Sequence, residues 1–264
     1  MKVFMVDVAK CSGCYNCQIA CKDEHCGNDW APYAAPQPNS GQFWCVVKQR
    51  EHGQVPKVRV EYWPVFGGQD PAIADYAPEV LMEREDGLQV IMPEKAKGRR
   101  DIAERFEGVY YNEKLDVPQA CTGCAHLVDE GKLPHCVDLC ATGALRFGDA
   151  EEFASEMEAA ETLTLPSKGA PRVFYLNRPH LFIAGDVWDL KDNEIIEGAK
   201  VMLTMPNGET VETLTDDFGD FYFRGIDEGT YGLAIEARGF VPVERTAIDV
   251  TESVNLGDFP LERA

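Results

Sequence analysis

Four cysteines fall within eleven residues near the start of the chain. Cys11, Cys14, Cys17 and Cys21 follow the spacing C-x2-C-x2-C-x3-C. Thiolates at this spacing let one loop wrap around three irons of a [4Fe-4S] cluster, while the fourth cysteine serves a second cluster. The run therefore predicts a partner group elsewhere in the chain.

The partner group lies about a hundred residues later. Cys121, Cys124, Cys136 and Cys140 follow C-x2-C-x11-C-x3-C. Two such groups predict a ferredoxin-like module with two [4Fe-4S] clusters and exchanged fourth ligands. The first cluster would take Cys11, Cys14, Cys17 and Cys140, and the second would take Cys121, Cys124, Cys136 and Cys21. Gly13 and Gly123 lie inside the C-x-G-C loops, where a missing side chain lets the backbone approach the cluster.

Other uses of these cysteines are less consistent with the spacing. Structural zinc sites pair two C-x2-C knuckles, and disulfide frameworks do not need adjacent C-x2-C repeats. Cys26 and Cys45 remain, and we interpret them as packing or incidental residues because neither has a C-x2-C neighbour. His25, His126 and His135 lie beside cluster cysteines and are interpreted as polar or proton-coupled neighbours rather than ligands.

The chain shows no nucleophile–base pair, phosphate loop or carboxylate dyad. We therefore predict no catalytic residue on this chain and an electron-transfer role. Its net charge of −20 disfavours nucleic acid and anionic membrane surfaces as partners. No apolar run reaches the roughly 18 residues that span a bilayer, and the residues before Cys11 are too few for a signal peptide. We expect a cytoplasmic protein.

Short elements must position the cysteines. Residues 2–8 predict a strand that leads into the first loop, and residues 18–24 predict a helix. Residues 27–64 are predicted to form an irregular, proline-punctuated insertion. A turn at 85–87, a strand at 88–92, a polar helix at 93–106 and short strands at 108–111 and 145–147 follow. We expect a helix at 150–161 and a linker at 166–179.

The insertion combines aromatic and basic residues in an otherwise acidic protein. Aromatic residues and arginine are enriched at interface cores, so this segment predicts a docking surface for a partner subunit. The alternative is that the tryptophans only cover the clusters. The predicted docking residues are Trp30, Trp44, Arg50, Arg59 and Trp63.

The last part of the chain has a different pattern. Short alternating strands are predicted at 182–187, 199–203, 212–215, 220–223 and 231–235, separated by Gly, Asn and Asp turns. This pattern predicts an immunoglobulin/transthyretin-like sandwich. Its Gly185-x-Val187 and Gly229-x-Tyr231 motifs resemble carboxypeptidase-regulatory-like and B-type adhesin repeats.

The order of elements resembles the iron–sulfur small subunits of the molybdopterin dimethyl sulfoxide reductase family. Those subunits usually carry four cysteine groups, and here the first and last match. At the positions of the two middle groups, other residues replace the cysteines, which implies that this half is an empty scaffold without clusters. These residues are Val65, Gly68, Ile73, Ala96 and Arg99.

This resemblance implies a heterodimer. Its large subunit would hold molybdenum with two pyranopterin guanine dinucleotides, and the appended β domain is similar to that of members acting on polyhydroxylated benzenes. The predicted class is α+β. Residues 1–150 are predicted to form the ferredoxin-like domain, which includes the insertion and a degenerate cluster-free half at about 64–110. Residues 151–180 are predicted to form a helix and a linker, and residues 181–264 to form the sandwich.

Two other functions fit parts of the sequence. One is a free-standing two-cluster ferredoxin with an attached binding domain, but the long Trp-rich insertion favours a docked subunit. The other is a metal-stapled structural or adhesive protein, which rests on the β domain alone.

Overall fold

Strand β1, Lys2–Asp7, is buried on both faces and organises the first part of the fold. In this computed structural model, which describes residues 1–25, 43–82 and 84–264, the side chains of β1 alternate between two cores. Phe4 and Val6 face the cysteine-lined core, whereas Val3 and Met5 pack with Phe174 on the other side. Burying each such side chain contributes about 1.5–3 kcal/mol.

The chain forms two units. The first comprises Met1–Gln49 and Glu61–Arg178, and the second comprises Arg50–Val60 and Pro179–Ala264. In the described residues the helices are α1 Asn16–Glu24, α2 Ala72–Tyr76, α3 Arg100–Arg105, α4 Ala125–Asp129, α5 His135–Asp138 and α6 Ala154–Met157. None of these helices is long and apolar enough to cross a bilayer.

The first unit contains a three-stranded sheet. Strands β6, Leu145–Asp149, and β7, Val173–Leu176, flank β1, antiparallel and parallel respectively. Two short strands of the first unit, β4 Tyr110–Asn112 and β5 Val117–Gln119, pair with each other in antiparallel orientation. On β1, the ring of Phe4 stacks on Phe66 at 4.6 Å between centroids. The alternation of side chains along β1 thus places an aromatic core beside the cysteines.

A β-hairpin starts and ends in the first unit, and its tip, Arg50–Val60, belongs to the second unit. Its strands are β2, Cys45–Gln54, and β3, Lys57–Phe66, joined at Val55 and Pro56. The prediction of irregular structure through residue 64 was wrong for this part. Pro56 occupies the turn and Pro64 the β3 interior, so the prolines that suggested a loop leave the strand pairing intact. The insertion residues 26–42 lie outside the described residues.

Four other local predictions differ from the structure. Residues 88–92 form one isolated bridge, Leu81 with Ile91, instead of a strand. The predicted helices at 93–106 and 150–161 are shortened to α3 and to a 3-10 turn followed by α6. The predicted linker contains β7, because Phe174 and Tyr175 complete the two cores beside β1. Local polarity carried no signal for β7 because its partner strand β1 is distant in sequence.

The second unit is a sandwich of two sheets. One sheet has the order β11, β10, β13, β14, and the other β12, β8, β15, with β9 paired to β8. Its strands are β8 Leu181–Asp189, β9 Glu194–Ile195, β10 Lys200–Thr204, β11 Thr210–Leu214, β12 Asp220–Ile226, β13 Gly229–Glu236, β14 Val243–Val250 and β15 Val254–Leu261. The five predicted strands are present, and β9, β14 and β15 were missed. The predicted α+β class, a ferredoxin-like module followed by a sandwich, is confirmed.

Lys57, at the tip of the hairpin, is a buried cation within the second unit. Its Nζ lies 2.9 Å from Asp220 Oδ1 and 3.5 Å from Asp186 Oδ1, and it donates a hydrogen bond to the Gly185 carbonyl at 3.0 Å. A buried ammonium needs such partners because desolvation disfavours its charge. The hairpin tip is therefore an integral part of this unit.

Candidate iron–sulfur site

The first four predicted ligands come together from two distant segments. Burial raises the pKa of the Cys11 thiol, an N–H of Gly13 opposes that shift, and the nearby thiols of Cys17, Cys14 and Cys140 raise it further. Cys140 therefore lies with the first run although 119 residues or more separate it from that run in sequence. Cys14 is exposed, whereas Cys11 and Cys140 are half-buried.

The second group likewise includes a cysteine from the other run. Burial raises the pKa of the buried Cys21 thiol, and the charges of Cys136 and Cys124 add to this. Burial also raises the pKa of Cys121, again with Cys21 as a neighbouring charge. Cys21 thus lies near cysteines of the later group.

Backbone N–H groups point at several of these sulfurs. Gly123 N–H donates to Cys121 Sγ at 3.3 Å, and Leu145 N–H donates to Cys140 Sγ at 3.3 Å. Burial raises the pKa of Cys124 to about 12, opposed by an N–H from His135. Such donors stabilise negative charge on sulfur and tune iron–sulfur centres.

The donor set suits iron–sulfur clusters. Eight thiols in two groups match the ligand requirement of two cubes, and their mutual repulsion when ionised is what bound iron cations would relieve. In the part of the chain that the structure describes, no three His, Cys, Asp or Glu side chains converge at the spacing that holds a single metal ion. A [4Fe-4S] cluster instead binds its four thiolates through four different irons.

Two glycines keep the cysteine loops tight. Gly13 has φ +67° and Gly123 has φ +63°, a region that residues with a Cβ rarely adopt. A Cβ at Gly13 would lie 2.6 Å from the Tyr62 ring, and one at Gly123 would lie 2.7 Å from Leu88 Cδ2. The space that these glycines leave is occupied by the side chains of Tyr62 and Leu88, so any larger residue at either position would collide with them.

A carboxylate between histidines joins the two cysteine runs. Glu24, in the last turn of α1, has Oε1 2.8 Å from His126 Nε2 and Oε2 2.9 Å from His135 Nδ1. The second pair is close but not aligned for a hydrogen bond. The hydrogen bond from His126 holds the pKa of Glu24 below its usual value. In the sequence, only the position of Glu24 three residues after Cys21 indicated that it could join the two cysteine runs.

His25 covers the second group. Its Nε2 lies 3.8 Å from Cys124 Sγ, and its ring lies 4.5 Å from that of Trp44. Burial lowers the pKa of His25 to about 4, and His126 contributes to this. His25, His126 and His135 are therefore polar neighbours of the cysteines, in line with their predicted placement.

Cys45 is a buried neighbour of both groups. It begins β2 and has 0% exposure. It shares one buried core with Cys17 and Cys136, and these neighbouring thiols, together with burial, raise the pKa of Cys45. Its sequence context carried no signal for this position, because nothing in the spacing around it resembles a ligand motif.

A pair of buried glutamines supports the second group. Gln69 Nε2 donates to the carbonyls of Gln89 and Cys121, both at 2.9 Å, and Gln69 Oε1 accepts from Gln89 N–H at 3.2 Å. Gln89 Nε2 in turn donates to the carbonyls of Gly68 and Asp70. This network fixes the backbone at Cys121 and was not predicted.

The degenerate half at about 64–110, which we predict to hold no cluster, contains an apolar core. Ile73 and Ala96, which stand where cysteines were expected, are both fully buried in one apolar core with Ile102 and Phe106. Gly68 lies so close to Cys121 that an added Cβ would meet its carbonyl oxygen at 2.1 Å. Apolar packing thus fills this half.

The predicted docking residues differ in how far they are buried. Trp44 and Trp63 are half-buried and pack against the cysteine-lined core, as the covering alternative proposed. Arg50 and Arg59 are exposed near the tip of the hairpin. Trp30 lies outside the described residues, as does Cys26.

Comparisons with known proteins agree with both halves of this architecture. Residues 68–150 match the 4Fe-4S dicluster domain, and residues 183–262 match the carboxypeptidase regulatory-like domain. The chain is 33% identical to the pyrogallol hydroxytransferase small subunit of Pelobacter acidigallici, over 96% of each chain. It is also 30% identical to a subunit of the anaerobic dimethyl sulfoxide reductase of Escherichia coli, over 57% of this chain and 74% of the relative. Similarity to the formate dehydrogenase subunit beta of Megalodesulfovibrio gigas is 30% identity over 62% of this chain and 82% of the relative.

Proposed function

Since the chain belongs to the iron–sulfur small subunits of the molybdopterin dimethyl sulfoxide reductase family, we propose that it carries two [4Fe-4S] clusters and exchanges electrons with a molybdopterin catalytic subunit. The observation that carries the proposal is the arrangement of eight cysteines in two groups, each built from both runs. Such clusters supply one-electron redox chemistry when bound.

The chain's own residues have distinct tasks in this proposal. Cys11, Cys14, Cys17 and Cys140 hold the first cluster, and Cys121, Cys124, Cys136 and Cys21 hold the second. The N–H groups of Gly123 and Leu145 stabilise charge on the ligand sulfurs. Because the second group is the more deeply buried, we assign exchange with the partner to the side of exposed Cys14.

We further propose that the partner acts on phenolic or polyhydroxybenzene substrates, as a transhydroxylase or an anaerobic hydroxylase or dehydroxylase. The name of the pyrogallol hydroxytransferase small subunit supports this class. The molybdenum and its two pyranopterin guanine dinucleotides belong to the large subunit, and this chain contributes no catalytic residue. A cytoplasmic heterodimer is the assembly that we expect.

The docking surface is also part of the proposal. Arg50 and Arg59 are exposed, as the predicted docking role requires, whereas Trp44 and Trp63 present only part of their surface, and Trp30 completes the predicted set. We also assign to the contact two exposed apolar residues near ligand cysteines in the first unit: Ile19 is 51% exposed and Leu139 is 46% exposed. Apolar side chains flanking an electron-exchange site are suited to a close, desolvated contact.

Anaerobic purification of the full chain from its native host tests the function. We expect a co-purifying molybdopterin subunit identified by mass spectrometry, with about eight irons, matching sulfide and one molybdenum per heterodimer. A stable monomer with eight irons and no molybdenum partner would support the free-standing ferredoxin instead. Zinc without acid-labile sulfide would contradict both.

Replacing Ile19 and Leu139 by Asp tests the docking surface. The double variant should keep its iron but lose molybdenum from the purified complex, because two charges would be desolvated at the contact. The matched control places Asp at Val211 and Leu214, which are exposed in the sandwich at 43% and 62%. Equal loss in both variants would contradict the assigned surface.

A further inference from the structure

A cavity of about 200 Å³ opens on the first unit. Its floor is apolar and buried: Phe66 ends β3, and Val173 and Tyr175 belong to β7. The polar groups of the floor are already paired, since the Tyr175 hydroxyl donates to the Pro64 carbonyl at 2.9 Å and Gln69 bonds within the glutamine network. The floor therefore offers a ligand aromatic and aliphatic surface rather than hydrogen bonds.

The segment 163–165 forms one wall of this cavity and is held at both ends. Before it, Glu161 and Tyr175 exchange backbone hydrogen bonds of 2.9 and 2.8 Å. At its end, Leu165 N–H donates to Asp70 Oδ2 at 3.2 Å. The two leucines of the segment line the cavity and are 43% and 48% exposed in the described part of the chain. A bound molecule of low polarity would remove this apolar surface from water.

Arg105 supplies a positive charge at the mouth of the cavity. It ends α3, and its guanidinium lies 4.7 Å from the centroid of the Tyr76 ring. Among the described residues Arg105 forms no ion pair, whereas both carboxylates that line the cavity are engaged. Each oxygen of Asp70 accepts a backbone N–H, and Glu107 pairs with Lys48. The uncompensated charge is therefore positive, which suits an anionic group on a ligand.

The size of the cavity limits the rest of the ligand. An apolar cavity of about 150 Å³ is enough to bind benzene. A volume of about 200 Å³ therefore admits one aromatic ring with a small charged substituent. A ring also suits the floor, because aromatic side chains such as Phe66 and Tyr175 pack favourably against another ring in offset or edge-to-face contact. A carboxylate substituent matches the planar fork of the Arg105 guanidinium.

We propose that this cavity binds a monocyclic aromatic carboxylate, with the ring between the apolar floor and segment 163–165 and the carboxylate paired with Arg105. None of the eight proposed ligand cysteines lines the cavity, so the inference goes beyond electron transfer and does not depend on the cluster assignment. A carboxylate without a ring would lose the apolar contact, and a neutral ring would lose the ion pair. Tight binding therefore requires both features in one molecule.

Isothermal titration calorimetry of the anaerobically purified full chain with benzoate tests the site. We expect one site per chain with a Kd of about 1 mM or lower, and binding of acetate and of phenol that is weaker by about tenfold or more. Arg105→Gln should weaken benzoate binding about tenfold or more, because it removes charge-assisted hydrogen bonds. Arg100→Gln is the matched control: Arg100 lies on the same helix, pairs with Glu113 and does not line the cavity, so benzoate affinity should stay unchanged.

A second variant tests the apolar wall. Leu163→Asp should abolish measurable benzoate binding, because it places a negative charge where the ring would be covered. Leu133→Asp is its control, since Leu133 is 46% exposed in the same unit and does not line the cavity. Its benzoate affinity should equal that of the wild-type chain.

The wild-type titrations decide the matter even if a variant fails to fold. A wild-type chain that does not bind benzoate, or that binds acetate or phenol equally well, would overturn the proposal. Unchanged affinity in Arg105→Gln or Leu163→Asp would place the ligand elsewhere and would also overturn it. Iron and sulfide, measured on the same samples, report on the cluster assignment separately.

Discussion

Glu24 Oε1 lies 2.8 Å from His126 Nε2, which joins residues 102 positions apart in the chain. Glu24 ends the helix that carries Cys17 and Cys21, and His126 follows Cys124 by two residues. The other oxygen of Glu24 lies 2.9 Å from His135, beside Cys136. One partly buried carboxylate thus ties α1 to both segments that complete the second cysteine group.

Glu24→Ala should loosen the second group. It removes the hydrogen bond to His126 and the charge near His135, at a cost of about 1 kcal/mol because the histidines are partly exposed. We expect faster loss of iron to a chelator, measured on the anaerobic full chain. Glu130→Ala is the control: Glu130 pairs with Lys132 on the surface and its loss should leave the rate unchanged. Equal rates of iron loss in Glu24→Ala and Glu130→Ala would contradict the role of Glu24 in holding the second group together.

Cys21→Ser should damage the distant cluster. Cys21 faces Cys136 and Cys124, so its loss should deplete the cluster held by the later run more than the one held by Cys11. Cys140→Ser should have the converse effect, since Cys140 lies with Cys11. Electron paramagnetic resonance with iron analysis separates the two clusters. If each variant depleted the cluster of its own run, the crossed assignment would be wrong.

The sequence predicts the eight ligands because their spacing is local and specific to iron–sulfur binding. Strand β1 and the alternating strands of the sandwich were also predictable, because their residue patterns are local in sequence. In contrast, Gln69 donates a hydrogen bond to Cys121 across 52 residues, and Cys45 joins the core that contains Cys136 from a hairpin that was predicted to be irregular because of its prolines. Such contacts depend on how elements pack, and a single sequence carries no local pattern for them.

Gln69→Leu should destabilise the first unit. It leaves the carbonyls of Gln89 and Cys121 and the N–H of Gln89 unpaired in a fully buried place, which should cost roughly 2–4 kcal/mol. Denaturant unfolding of the full chain measures this. The double variant with Gln89→Leu should cost less than the sum of the single variants, because they share hydrogen bonds.

Gln119→Leu is the matched control for this network. Its side chain bonds only one described partner, the Asn112 amide at 3.0 Å, and it is half-buried. We expect a cost below about 1 kcal/mol. Additive costs of Gln69→Leu and Gln89→Leu would contradict the shared network.

Asp258→Asn should stabilise the second unit at neutral pH. Burial raises the pKa of Asp186, Asp258 raises it further, and Lys57 opposes both. A raised carboxyl pKa means that the folded state binds the proton more tightly. This contribution to stability is present below the ordinary pKa of 3.8 and is lost as pH rises through the folded value. At pH 7 the ionised pair therefore opposes folding.

Removing Asp258 relieves this repulsion, so the variant should gain up to about 1 kcal/mol at pH 7, a small value because both carboxyls are partly exposed. The gain should vanish as pH falls below about 4. Calorimetric Tm against pH is the measurement. Asp217→Asn, which removes the same charge from an exposed turn, should show no such gain. An equal gain in both would indicate a net-charge effect.

Gly68→Ala should be severely destabilising, and Gly68→Cys should not rebuild a middle cluster. The added Cβ would meet Cys121 O at 2.1 Å and Cys121 N at 2.8 Å, and these backbone atoms cannot move without disturbing a proposed ligand. We expect a loss of roughly 3 kcal/mol or more together with iron from the second cluster. Gly232→Ala is the control, since its Cβ would meet only ordinary contacts from 3.5 Å.

The same reasoning extends to Ile73→Cys and Ala96→Cys. Both positions are fully buried in an apolar core, so a thiol there meets packed side chains rather than space for iron. Iron per chain should stay at the wild-type level or fall in the triple variant with Gly68→Cys, because three thiols cannot displace that core without unfolding it. A gain of about four irons with preserved Tm would show that the middle half can still hold a cluster.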